Sequence, residues 1–99
     1  MLNVNKTIEN EQAVLALEGR LDTVTAPELD AVIGTIPEEI RELVLDFAAL
    51  EYISSAGLRV LLTAQKRMTK RGSMRLIHVD APIMEIFEVT GFSDILTIC

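Results

Sequence analysis

The sequence predicts an α/β domain. Strand-like runs and helix-like patterns alternate along the 99 residues, and Leu43-Val44-Leu45 is a continuous apolar run suited to a central strand covered on both faces. The stretch from Arg41 to Val79 reads strand, helix, strand, which is a βαβ crossover with parallel strands. One domain is expected over residues 1–99, with 49% hydrophobic residues to fill a single core. Aromatic residues are limited to Phe47, Tyr52, Phe87 and Phe92, so that core must be mostly Leu, Ile, Val and Ala.

Leu2 to Thr7 and Ala13 to Glu18 read as short strands around the polar turn Glu9-Asn10-Glu11-Gln12. Gly19 to Val24 reads as a loop. Thr25 with Glu28 three residues on has the spacing of a capping box, and Pro27 falls in the first turn, where its missing N–H costs nothing. Leu29, Val32, Ile33 and Ile36 then recur at helical spacing, with Gly34 and Pro37 near the stop. Arg41 to Phe47 is the apolar strand, and Ala48 to Ile53 reads as a loop. Ser54 or Ser55 then caps a long helix reaching about Arg71, with Leu58, Leu61, Leu62 and Met68 along one side and Gly72 as the stop. Met74 to Val79 is a further strand, Asp80-Ala81-Pro82 opens a helix closed by Gly91, and Asp94 to Ile98 reads as a last short strand.

Charge narrows the function. The net charge is −6, the wrong sign for a nucleic-acid partner, because phosphate backbones need clustered Lys and Arg. Residues 1–51 hold eleven of the fifteen acidic residues against three bases, Lys6, Arg20 and Arg41. Such an acidic half solubilises the chain and can steer a basic protein surface towards it. Cys99 is the single cysteine, so no internal disulfide is expected, which fits a reducing compartment. Residues 1–6 lack the apolar core of a signal peptide, and no run approaches the roughly 18 apolar residues of a membrane span. The expectation is a cytoplasmic protein with no membrane or nucleic-acid partner. No phosphate-binding P-loop, metal-spaced Cys/His set or dinucleotide fingerprint occurs, so neither metal nor cofactor is expected.

In α/β sheets the functional loops lie beyond the carboxyl ends of parallel strands. Two loops qualify, Gly19 to Thr25 and Ala48 to Gly57. In the second, Ser54-Ser55-Ala56-Gly57 places two hydroxyls and a glycine at a helix start. A phosphate esterified there meets unpaired N–H groups and the positive end of the helix dipole. The plainer reading is a serine N-cap worth about 1 kcal/mol. Spacing alone leaves both readings open.

Val44-Leu45-Asp46-Phe47 and Tyr52-Ile53-Ser54-Ser55-Ala56-Gly57-Leu58-Arg59-Val60-Leu61-Leu62 resemble the anti-sigma factor antagonists of the STAS domain family. Glu18-Gly19-Arg20-Leu21-Asp22-Thr23 and Thr25-Ala26-Pro27-Glu28-Leu29 resemble that family's first loop and helix. The resemblance implies a small mixed β-sheet with its helices packed mainly on one face. The family motif is Asp-Ser-(Ser, Thr or Ala)-Gly-Leu with phosphate on its first serine. Aligned on Gly57-Leu58, that residue is Ser55, while Ser54 replaces the aspartate and becomes a second acceptor to weigh. Partner contacts are implied at Asp22 and Thr23 and at Ser54, Ser55, Ala56, Gly57 and Arg59. The partner implied is an anti-sigma factor that is also a serine kinase of histidine-kinase-like ATPase fold. A metal-dependent serine/threonine phosphatase would reset the cycle. An alternative is a phosphorylation-controlled regulator of a secretion or other signalling complex without a sigma factor.

Two other features of the sequence have plainer structural explanations. His78, the single histidine, with Ser55 and Asp80 suggests a hydrolase triad, but Ile53 stands where a nucleophile elbow needs glycine and no glycine-rich oxyanion loop occurs. No enzyme is expected. Lys66, Arg67, Lys70 and Arg71 look like a basic patch, yet they fall in a last helical turn, where cations offset the dipole.

Overall fold

The computed structural model describes all residues, 1–99. Strand β1 (Leu2–Glu9) and strand β2 (Gln12–Leu21) are followed by helix α1 (Ala26–Gly34), strand β3 (Glu42–Ile53) and helix α2 (Ser55–Thr69). Strand β4 (Ser73–Ile77), helix α3 (Ala81–Thr90) and a 3₁₀ turn over Phe92–Asp94 complete the chain. The four strands lie in the order β1-β2-β3-β4. β1 and β2 form an antiparallel hairpin across Asn10 and Glu11, with Asn10 in the left-handed region (φ 55°). β2 with β3 and β3 with β4 are parallel, so the sheet is mixed and both crossovers carry a helix.

Alternation along the strands decides which face the helices cover. Ala13, Leu15 and Leu17 of β2, Leu43, Leu45 and Phe47 of β3, and Met74 and Leu76 of β4 are all buried. They form one cluster with Leu29 and Ile33 of α1, Leu61 and Met68 of α2, and Ile83 and Phe87 of α3. The Phe47 and Phe87 rings meet at 6.2 Å in a tilted pair, which anchors α3 to β3. Residues between these on the strands, such as Val14, Ala16 and Asp46, face the other way and are half-buried. The expected mixed sheet with helices on one face is thus present. Leu43, Val44 and Leu45 are all buried as the apolar run requires, but Val44 is covered on its own face by flanking strands rather than by helices, since it pairs with Val14 and Arg75.

Four local expectations are corrected. Gly19 to Leu21 belongs to β2 and Ala48 to Ile53 to β3, where loops were expected. The pairing runs residue for residue from Gln12↔Glu42 to Ala16↔Asp46, then shifts twice, to Glu18↔Ala49 and to Arg20↔Tyr52, each shift adding one residue to β3. These bulges change the burial spacing to Phe47, Leu50, Ile53 and hide the strand from a period-two reading. Gly19 permits the bend: its φ is +104°, and a Cβ there would lie 2.2 Å from Met1 O. The Thr25–Glu28 capping box is not formed, because Thr25 is itself right-handed helical and makes no side-chain cap bond. The final strand over Asp94 to Ile98 reduces to a single parallel bridge, Leu76↔Ile98, after the 3₁₀ turn. Helix α2 ends at Thr69 with Lys70 as its C-cap, in keeping with the expected end at about Arg71.

Candidate functional site at the ends of two parallel strands

The parallel register brings the carboxyl ends of β2 and β3 side by side. Leu21 pairs with Ile53, and the Ser54 N–H donates to Leu21 O at 2.9 Å. The residues after each strand, Asp22-Thr23-Val24 and Ser54-Ser55-Ala56, therefore start from adjacent points. Gly57 tightens the junction. It is buried, and a Cβ there would lie 2.7 Å from Leu21 Cγ and 3.0 Å from Ile53 Cγ1. Glycine lets α2 begin directly against the strand ends.

The first loop is held by Asp22. Its Oδ1 accepts the Val24 and Thr25 N–H groups, both at 3.0 Å, closing an Asx turn that feeds α1. Thr25, nearly fully buried, accepts the Asp22 N–H on Oγ1 at 2.8 Å and donates to Arg20 O at 2.8 Å. The Asp22 carboxyl is held below its ordinary value of 3.8, chiefly by the Thr25 N–H; partial desolvation opposes this, and the Thr25 hydroxyl, the Val24 N–H and the α-amino group add to it. Thr23 and Val24 are exposed at the tip. Beside them a shallow hollow of about 470 Å³ opens between Asp22, Val24, Glu28 and the start of β1.

In the second loop the two serines divide the work. Ser54, extended at φ −100° and ψ 174°, is the N-cap: its Oγ accepts the Gly57 N–H at 3.3 Å and its carbonyl the Leu58 N–H at 3.0 Å. Ser55 is the first helical residue, exposed, and takes no part in the cap. The Ser55 and Ala56 N–H groups have no acceptor within the helix, as at any helix start. Ala56 is half-buried, and Arg59 is exposed one turn further on. Of the seven expected site residues, Gly57 alone is turned fully inward, where it sets the spacing of the loops. The guanidinium of Arg20 stacks 4.2 Å above the Tyr52 ring, bridging β2 and β3 just before the loops. Sequence reading missed this pair, and it missed the Asp22–Thr25 turn although Asp-x-x-Thr before a helix is a visible signal.

The hydrolase grouping is not assembled. His78 Nδ1 lies 2.9 Å from Asp46 Oδ1, and Asp80 Oδ1 instead accepts the Ile83 N–H as the N-cap of α3. Burial raises the Asp46 carboxyl, but the Ala48 N–H and the His78 hydrogen bond and charge outweigh it, and the net direction is down. The basic cluster sits at the other end of α2. There Arg67, Lys70 and Arg71 line a hollow of about 570 Å³ with Gly34, Ile36 and Glu38, and Arg71 donates to Pro37 O. No helix is long and apolar enough to cross a membrane.

A family profile described as "Mlab, STAS domain" matches residues 4–97. The provisionally assigned anti-sigma factor antagonist BtrV of Bordetella bronchiseptica is 33% identical over 86% of this chain and 75% of its own length. The anti-sigma-B factor antagonist of Bacillus subtilis is 27% identical over 98% of this chain and 92% of its own. Among solved structures, an anti-sigma factor antagonist from Mycobacterium paratuberculosis superposes with a TM-score of 0.86 at 23% identity, covering 99% of this chain and 85% of that one. The unphosphorylated anti-sigma factor antagonist SpoIIAA superposes at 0.75 with 18% identity, covering 100% and 87%, which makes it a likeness of fold.

Proposed function

The chain belongs to the STAS domain family, and we propose that it is an anti-sigma factor antagonist working as a cytoplasmic binding module, not an enzyme. Unphosphorylated, it binds an anti-sigma factor that is also a serine kinase of histidine-kinase-like ATPase fold, and so frees a sigma factor. The kinase transfers the γ-phosphoryl group of ATP to Ser55 Oγ. The P–O bond to ADP breaks, the Oγ–P bond forms, and the hydroxyl proton is released. A metal-dependent serine/threonine phosphatase then hydrolyses the ester to serine and inorganic phosphate.

The observation that carries this reading is the division between the two serines. Ser54 supplies the helix cap, which leaves the Ser55 hydroxyl exposed and structurally uncommitted beside the Asp22 loop. A partner laid across both loops covers Asp22, Thr23, Ser54, Ser55, Ala56 and Arg59. A phosphate at Ser55 adds about 1.5 to 2 negative charges to that surface. One unfavourable charge contact at about 4 Å, with effective dielectric near 20, is on the order of 4 kcal/mol. That weakens binding by roughly a thousandfold before solvent screening. No unfolding is needed.

The test is phosphosite mapping by mass spectrometry on the wild-type, Ser54→Ala and Ser55→Ala chains purified from their native cells. Phosphate on the wild type and on Ser54→Ala, and none on Ser55→Ala, is expected. Phosphate retained by Ser55→Ala and lost by Ser54→Ala would move the acceptor to the cap residue and overturn the assignment.

A further inference from the structure

Helix α2 carries three cations, Arg59, Lys66 and Arg67, and no carboxylate. Lys66 and Arg67 lie in its last turn, where cations offset the negative end of the dipole. Arg59 lies in the second turn, towards the positive end, where the dipole offers a cation nothing. Neighbouring elements do not supply a counter-charge either. The chain's one Arg–carboxylate ion pair is Arg75 with Glu42, and the other close contact of this kind is His78 with Asp46, so Glu28 and Asp30 of α1 and Glu51 of β3 all stand beyond salt-bridge distance of Arg59. β4 carries no acid.

One turn before Arg59 stands Ser55, exposed on the same face. Residues four apart on a helix have Cβ atoms about 5–6 Å apart. Helical side chains tilt towards the N-terminus, so the usual helical rotamers of Arg59 bring its guanidinium within reach of position 55. Anion first and cation four residues later is the favourable order for such a pair. A guanidinium also matches phosphate through two parallel N–H···O bonds, which an ammonium does not.

We propose that Arg59 is the internal counter-ion of phosphoserine at position 55, so that phosphorylation adds negative charge and at the same time withdraws Arg59 from the partner-facing surface. The proposal rests on the assignment of Ser55 as phosphate acceptor and deepens it: a partner loses a free cationic fork as well as meeting a phosphate. It also makes Ser55→Asp a weaker mimic than phosphoserine, since a single charge on a short side chain recruits Arg59 less.

The experiment installs phosphoserine at position 55 during translation and follows the phosphate by ³¹P NMR through a pH titration at low ionic strength. The second phosphate pKa is expected about 0.2 to 0.4 unit lower with Arg59 than in Arg59→Ala. Arg59→Lys should fall between, and the difference should shrink in about 1 M salt. The Arg59 Nε–H resonance should move on phosphorylation. Arg59→Gln serves as a second uncharged variant, with circular dichroism confirming that each folds. Equal pKa values with and without Arg59 at low salt, with an unmoved Nε–H resonance, would overturn the proposal. Because no kinase is used, this outcome is independent of whether cells phosphorylate Ser55, which the phosphosite mapping decides separately.

Discussion

Replacing Gly57 by alanine sets two known effects against each other. Inside a helix, alanine is favoured over glycine by about 1 kcal/mol. At this site the added Cβ meets Leu21 Cγ at 2.7 Å, and Leu21 Cδ2 and Ile53 Cγ1 at 3.0 Å. Leu21 is fully buried and is struck at its branch point, so the nearest atom is not a free methyl that rotates aside. Overpacking of this kind costs about 1–3 kcal/mol. The clash should win, leaving Gly57→Ala destabilised by about 1 kcal/mol, at most about 2. Gly34 is the internal control: it is the last residue of α1, exposed, with nothing within 4 Å of a Cβ. Gly34→Ala should be neutral or stabilising by up to about 1 kcal/mol. Urea unfolding of both variants, read as the shift in midpoint at constant slope, is the assay. The junction also links the loops, so the Ser54 N–H to Leu21 O bond should exchange faster with deuterium in Gly57→Ala than in Gly34→Ala. A Gly57→Ala protein as stable as Gly34→Ala would refute the claim that this glycine sets the approach of α2 to β2.

Ser54→Ala, which removes the acceptor of the Gly57 N–H, should cost about 1 kcal/mol in urea unfolding. Ser55→Ala should stay within about 0.5 kcal/mol of wild type; the reverse order would exchange the roles of the two serines. Asp22 gives a pH prediction. Its folded pKa lies below the ordinary 3.8, so near and below that value the unfolded chain binds more protons than the folded one. Its contribution is complete above the unfolded pKa and is lost as pH falls through the folded one. Asp22→Asn, whose amide oxygen still closes the turn, should flatten that part of the acid limb of stability against pH; an unchanged acid limb would contradict it.

The helices were the most legible part of this chain. Leu58, Leu61 and Met68 mark the buried side of α2, and Asp80 with Pro82 marks the start of α3, because amphipathic spacing and caps are local properties. The long ends of β2 and β3 were not legible. Two residues inserted into β3 put Ala48 and Ala49 outside and restore burial only at Leu50 and Ile53, and this pattern depends on the register with β2. The capping box at Thr25 failed for a similar reason. Thr25 has its hydroxyl committed to Arg20 O and Asp22 N–H, which leaves Asp22 to close the turn. Ser55 was visible as one of two serines at a helix start, and the family resemblance singled it out. That the Asp22 and Ser55 loops share one edge is a consequence of parallel pairing across more than thirty residues of sequence, which no local pattern carries.

The central claim is that charge at Ser55 decides whether the partner stays bound. It is tested most directly by affinity capture from native lysate with wild-type, Ser55→Ala and Ser55→Asp baits, partners being identified by mass spectrometry. Wild type and Ser55→Ala should retain an ATPase-fold serine kinase, and Ser55→Asp should lose most of it. Recovery of a secretion regulator in place of a kinase acting on a sigma factor would transfer the same switch to another complex. Equal retention of every partner by all three baits, with Ser55 never phosphorylated, would contradict the account and leave Ser55 as an ordinary first residue of its helix.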